Sequence, residues 1–216
     1  MRIAVINPNS TVSMTEKMAA AARAVTEAEV EARTCAGSPP AIQGPADAAA
    51  AIPHLLAEAR AAEAGGANAV IIGCFDDPGL EEVRAALRIP VLGIAQAACH
   101  AAILLGHRFT VVTTLPVSVP GIEENIHRYG LGPHCLKVRA SGVAVLELEE
   151  PESGAAARVS AEVGRAVANE APGAILLGCA GMADLVGPLS AEHGLPVIDG
   201  VAAATVLAAA LVQLNR

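Results

Sequence analysis

The sequence predicts an α/β protein of two pseudo-symmetric flavodoxin-like subdomains, each with a four-stranded parallel sheet, and a functional site in the cleft between them. Three observations carry this. Short apolar, β-branched runs alternate with longer alanine-rich stretches along the whole chain, the pattern of strands joined by crossover helices. The pattern also repeats. Arg2–Ile6 matches Arg108–Val112, Val70–Cys74 matches Ile175–Cys179, and Ile89–Leu92 matches Leu195–Ile198, in the same order and at offsets of 105 or 106 positions. A repeat of that length indicates a duplicated domain rather than a solenoid. Finally, Ala69–Gly73 and Ala174–Gly178 are apolar throughout, as strands are when helices cover both sheet faces.

Taken in order, strands are expected near 2–7, 29–35, 68–73 and 90–94, and again near 108–114, 134–140, 174–178 and 196–199. The first helix, 12–28, opens with Ser13 and Glu16 at the spacing of a capping box. The second, 46–64, contains Pro53, which is expected to kink or restart it. Further helices fill 79–87, 97–105, 118–129, 153–170 and 183–192. The last, 201–213, lies in the longest apolar run, Val201 to Leu214, which Thr205 and Gln213 interrupt. A membrane span needs about 20 residues, so a buried helix is expected. No Pro/Ser-rich linker divides the halves. The boundary is expected near 95, with the final helix crossing back, giving one domain of 1–95 plus 200–216 and another of 96–199.

Composition narrows the function. Hydrophobic residues make up 53% of the chain, but aromatic ones are confined to Phe75, Phe109 and Tyr129, so the core must be aliphatic. The net charge of −8 and the lack of any basic stripe argue against nucleic-acid partners and against an anionic membrane surface. One arginine and a short apolar run are too little for a signal peptide. Five cysteines form an odd set without a Cys-x-x-Cys pair, as expected for reduced thiols in the cytoplasm. No Walker or Gly-x-Gly-x-x-Gly motif and no zinc-site spacing occurs, and no histidine adjoins Cys74 or Cys179 in sequence.

Parallel α/β sheets bind ligands beyond the carboxyl ends of their strands. Four segments there carry polar or small residues: Asn7–Thr11, Cys74–Gly79, Thr113–Thr114 and Cys179–Met182. Cys74 and Cys179 each follow a glycine and precede a helix start, where backbone N–H groups favour a thiolate. A thiol with pKa about 8.5 is only ~3% ionised at neutral pH; at about 7 it is roughly half ionised and suits a general base. A single strand-end cysteine reads as a small buried hydrophobe, whereas a matched pair reads as functional. Cys35, Cys99 and Cys135 have no such partner and read as structural. Asn9, Ser10 and Thr11 either bind a substrate oxygen or cap a helix. Asp76 and Asp77 either form a turn with a helix cap or face the substrate. Phe75 is either a pocket wall or core packing.

Ile6–Thr11, Gly73–Phe75 with Asp77–Leu80, Val112–Leu115 and Gly178–Met182 together resemble the hydantoin racemase family, which includes allantoin racemases and belongs to the Asp/Glu racemase superfamily. The resemblance runs along essentially the whole chain. It implies a cofactor-independent racemase in which one cysteine from each domain flanks the substrate stereocentre, with Cys74 and Cys179 as the acid/base pair. One thiolate takes the proton beside a carbonyl and the opposite thiol returns one to the other face. Asn9, Ser10, Thr11, Phe75, Asp76, Thr113, Thr114, Val117, Ser118, Ala180, Gly181 and Met182 then form the substrate cradle. A small-molecule substrate, no metal or other cofactor and a homo-oligomer are expected. Three positions depart from the family pattern. Asp76 stands where glycine is common, Gln43 after Ile42 where glutamate is common, and Val117 where a basic residue is common. All three bear on substrate identity. Within the superfamily the alternatives are a maleate-type cis–trans isomerase or an amino-acid racemase, although the Cys-Asn-Thr and Cys-Thr-His signatures of the latter are absent. From a different class, the alternative is a non-catalytic small-molecule sensor.

Overall fold

The structure is a computed structural model that describes residues 1–214. The first half contains β1 (Arg2–Asn7), α1 (Val12–Arg23), β2 (Glu29–Thr34), α2 (Pro45–Ala64), β3 (Ala69–Ile72), α3 (Leu80–Ala86), β4 (Val91–Gly93) and α4 (Ile94–Leu104). The second contains β5 (Phe109–Thr113), α5 (Val119–Arg128), β6 (Cys135–Ala140), α6 (Ala155–Glu170), β7 (Ala174–Leu177), α7 (Val186–His193), β8 (Val197–Ile198) and α8 (Gly200–Leu214). Each half forms a four-stranded sheet with every pairing parallel, in the orders β2-β1-β3-β4 and β6-β5-β7-β8. Register repeats as well: Ile6 pairs with Ile72, and Val112 with Leu177. The duplicated α/β architecture is thus as the sequence predicts.

Alternate residues of the central strands feed two cores. Ile3, Val5 and Ile71 face one that runs on into Val111, Ile175 and the α8 residues Val201, Ala204 and Ala208. Ala4, Ile6, Val70 and Ile72 face the other, with Leu55 of α2 and Leu80 and Val83 of α3. Both faces of these strands are covered, which explains their unbroken apolar runs. The final helix packs on α4 and over β3, while α4 also meets β7 and β8. Residues 215 and 216 of the expected first domain lie outside the described residues.

Several local expectations change. No capping box forms at α1: Thr11 is the N-cap, and Ser13 already lies within the helix. The Asn7 side chain sets this start: the two N–H groups of its amide are shared among Asn9 Oδ1 (2.8 Å), Thr11 O (3.0 Å) and Thr15 Oγ1 (3.0 Å). The helix stops at Arg23, short of 28, where the Thr26 hydroxyl accepts the Ala28 N–H (3.1 Å) and offers the backbone a turn instead. Pro53 does not restart α2. It lies on the exposed face, and so does Ala49, the residue whose carbonyl it leaves unpaired. The start of α4 comes three residues early because the Asp77 carboxylate caps it. A 3₁₀ turn, Ala180–Leu185, precedes α7, and another, Val145–Glu149, occupies a stretch where sequence indicated no element. One face of α8 is buried, but Val206, Leu211 and Leu214 are exposed, so it is not buried all round. No helix among the described residues is long and apolar enough to cross a membrane.

Candidate active site

Two glycines deliver the two cysteines to one cleft. Gly73 N–H donates to Ile6 O, and Gly178 N–H donates to Val112 O, both at 2.8 Å, so the chain leaves β3 and β7 at equivalent points. A Cβ at Gly178 would lie 2.6 Å from Thr113 Cβ, and one at Gly73 would press against Met18 Sδ. At Gly178 the obstacle is the end of the neighbouring strand β5, so glycine is required there, whereas at Gly73 it is a flexible side chain of α1. Cys74 and Cys179 follow immediately and line a single narrow cleft at the carboxyl ends of the strands.

Of the residues singled out from sequence, Asn9, Phe75, Asp76, Thr113, Thr114, Ser118 and Ala180 join the cysteines in its wall. Ser10, Thr11, Val117, Gly181 and Met182 do not. The Ser10 N–H donates to Pro39 O (3.0 Å) and the Thr11 hydroxyl to Pro40 O (2.7 Å), which pins the loop from outside. Val117 is half exposed and lines an adjoining groove. Met182 is core, and Gly181 contributes its N–H to Cys179 from behind the wall. Phe75 does both jobs offered for it, at 1% exposure within the core and against the cleft. Asp76 and Asp77 part company. Asp76 lines the cleft, whereas Asp77 is buried and bonded to the N–H groups of Ala95 (3.1 Å) and Gln96 (2.9 Å).

Met14, Ile42, Val145 and the two glycines complete the wall. Ile42 and the glycines lie within segments the sequence had already flagged. Met14 comes from the first turn of α1, on the side that faces the strand ends. Val145 belongs to the unforeseen 3₁₀ turn and carries no periodic or compositional signal. This turn is tied to the first half. Lys17 of α1 donates to Leu148 O (3.0 Å) and pairs with Glu149 (2.9 Å), and the Val145 N–H reaches Gln43 Oε1 (3.4 Å). The Thr113 hydroxyl donates to Gly178 O (2.9 Å), fixing the approach to Cys179.

Electrostatics run against the thiolate expectation. Burial pushes the Cys179 thiol up to about 12 and Cys74 well above its ordinary value. The charge of Asp76 raises both further. The opposing force is the one foreseen: an N–H two residues ahead of each sulfur, from Asp76 for Cys74 and from Gly181 for Cys179. Two backbone dipoles are outweighed by desolvation in the unliganded cleft. Asp76 is itself raised to about 6 by burial, with the Ser118 hydroxyl pulling the other way. Cys35 and Cys99 are buried in the core, and all five cysteines are free thiols. No group of three or more His, Cys, Asp or Glu side chains able to hold a metal ion occurs among the described residues.

Comparison with known proteins agrees with this architecture. The family model Asp/Glu/Hydantoin racemase matches residues 3–208. A hydantoin racemase of Rhizobium meliloti is 46% identical over 213 residues, 98% of this chain and 88% of that protein. The allantoin racemase of Klebsiella pneumoniae superposes with a TM-score of 0.96 at 40% identity, covering 100% of this chain and 89% of that one. The allantoin racemase of Pseudomonas fluorescens gives 0.95 at 37% identity, covering 100% and 92%. The chain belongs to the Asp/Glu/hydantoin racemase family and is an isomerase of that family.

Proposed function

We propose that this isomerase racemises 5-substituted hydantoins or allantoin by two-base proton transfer between Cys74 and Cys179, without a cofactor. The observation that supports this most is that two cysteines from equivalent strand ends line one small cleft. The relatives named for hydantoin and allantoin racemisation support this substrate class.

In the reaction one thiolate removes the proton from ring carbon 5. The electron pair delocalises into the neighbouring carbonyl as an enolate, and the opposite thiol gives a proton to the other face. Thiol and thiolate have then exchanged places, ready for the reverse direction. Two groups are needed because a single base returns its proton to the side it came from. Burial keeps the donor neutral, as an acid must be. The other thiol reaches the thiolate with help from the N–H ahead of it, which opposes the effect of burial. Asn9, Thr113 and Thr114 offer polar contacts to the ring, and the backbone N–H groups at the loop starts can meet the enolate oxygen. We also infer a cytoplasmic setting, which keeps the thiols reduced, and a homo-oligomer.

Polarimetry tests the reading. Purified protein is expected to racemise 5-isopropylhydantoin or allantoin with no added cofactor and with a chelator present. Iodoacetamide is expected to stop it, more slowly when substrate is bound. Turnover of free aspartate or glutamate with every hydantoin inert contradicts the substrate assignment. A ligand that binds in the cleft without any exchange of its carbon-bound proton contradicts the enzyme reading.

A further inference from the structure

The cleft between the thiols is the narrower of two adjoining spaces. A larger groove adjoins it between the start of α2 and α5. Asp76 and Ser118 line both spaces. The route from the sulfurs to the larger groove runs past these two side chains, and a substituent on a ring held between the sulfurs can follow it. Asp76 is the one carboxylate in the inner wall, which is otherwise apolar or neutral apart from the thiols. Burial raises it, and its counterweight is a neutral hydroxyl, Ser118, rather than a cation.

A partly buried carboxylate with so little donor support lacks hydrogen bonds that a ligand can supply. Resting on the racemase reading above, we propose that Asp76, seconded by Ser118, is the specificity-determining acceptor for the substituent at the stereocentre and favours one rich in N–H donors, such as the ureido group of allantoin. The two carboxylate oxygens can accept two parallel N–H bonds from a urea, a fork geometry that an alkyl group cannot reproduce. Val117 and Pro120 give the groove apolar surface too, so alkyl hydantoins enter, but they leave Asp76 unpaired. Donation to Asp76 has a second effect. Its charge opposes ionisation of both cysteines, so a substrate that spreads that charge over its own N–H groups eases formation of the thiolate. Recognition therefore acts on turnover as well as on affinity.

The experiment compares kcat/KM for allantoin and for 5-isopropylhydantoin in the wild type, Asp76→Asn and Ser118→Ala, together with the pH dependence of iodoacetamide alkylation in each unliganded protein. The wild type is expected to prefer allantoin. In Asp76→Asn the allantoin-to-isopropyl ratio is expected to fall by at least about tenfold, with part of the loss in kcat, and cysteine alkylation is expected to shift to lower pH. Ser118→Ala is expected to lower the ratio in the same direction, and it serves if Asp76→Asn folds poorly. A wild type that prefers the isopropyl compound, or ratios that stay within about twofold in both variants, overturns the selectivity proposal and leaves the racemase standing. A wild type inert toward both compounds overturns the racemase reading itself.

Discussion

The Tyr129 hydroxyl, at the end of α5, donates to Asp77 Oδ2 at 2.7 Å. The same carboxylate caps α4, and the Asp77 N–H donates to Cys74 O at 3.0 Å. Asp77 adopts a φ of 43°, a left-handed conformation that costs a non-glycine residue energy and that these bonds hold in place. Nearby, Asn125 Nδ2 donates to Asp76 O at 2.8 Å. The second half thus holds the turn that carries Cys74. Tyr129→Phe is expected to lower stability by about 1–3 kcal/mol, read from urea unfolding, and to reduce turnover. An unchanged midpoint shows that the tyrosine does not support the turn.

A pH dependence follows from Asp76, whose carboxyl burial raises from its ordinary 3.8 to about 6. Between those values the folded protein holds a proton that the unfolded chain has released. The contribution of this group to stability is complete below about pH 4 and is lost as pH rises through about 6. Asp76→Asn removes the loss. The stability of the variant relative to wild type is therefore expected to climb from pH 4 to 7 in a urea series, and a flat difference contradicts the raised carboxyl.

Lys17 ties the 3₁₀ turn of Val145–Glu149 to α1. Lys17→Met is expected to cost about 1–3 kcal/mol by leaving the largely buried Glu149 unpaired. Amide exchange across 145–149 is expected to speed up and KM to rise, because Val145 walls the cleft. Unaltered exchange there means the turn is held by other contacts.

Gly178→Ala places a Cβ 2.6 Å from Thr113 Cβ and 2.8 Å from its Cα, where backbone has to move. A cost of about 1–3 kcal/mol is expected, with loss of activity as Cys179 shifts. Gly187→Ala, in α7 with nothing within 4 Å of the new Cβ, is the control and is expected to be neutral or slightly stabilising. Equal thermal midpoints in the two variants count against a close strand-end contact.

Much of this was legible in the sequence for physical reasons. Ile3–Ile6 and Val70–Ile72 are buried on both faces, so their apolar runs mark central parallel strands, and the matched Gly–Cys pairs mark equivalent exits from the two sheets. Less legible was whatever depends on a partner distant in sequence. Asp77 caps a helix that begins 17 positions later, so the early start of α4 had no local signal. Val145 reaches the cleft through a turn fastened by Lys17 and Gln43, both far away along the chain. The thiol shifts run opposite to the sequence expectation because the local N–H groups can be read from sequence, whereas the burial that outweighs them cannot.

The pairing of Cys74 with Cys179 as acid and base is tested most directly by proton exchange in heavy water, followed by NMR on each pure enantiomer with the wild type, Cys74→Ser and Cys179→Ser. The wild type is expected to incorporate deuterium at ring carbon 5 while racemising. Each serine variant is expected to lose racemisation by at least about a thousandfold, yet to exchange the proton of one enantiomer with retention, the two variants acting on opposite enantiomers. Full racemisation by either variant, or exchange of the same enantiomer by both, contradicts a mechanism with one thiol on each face.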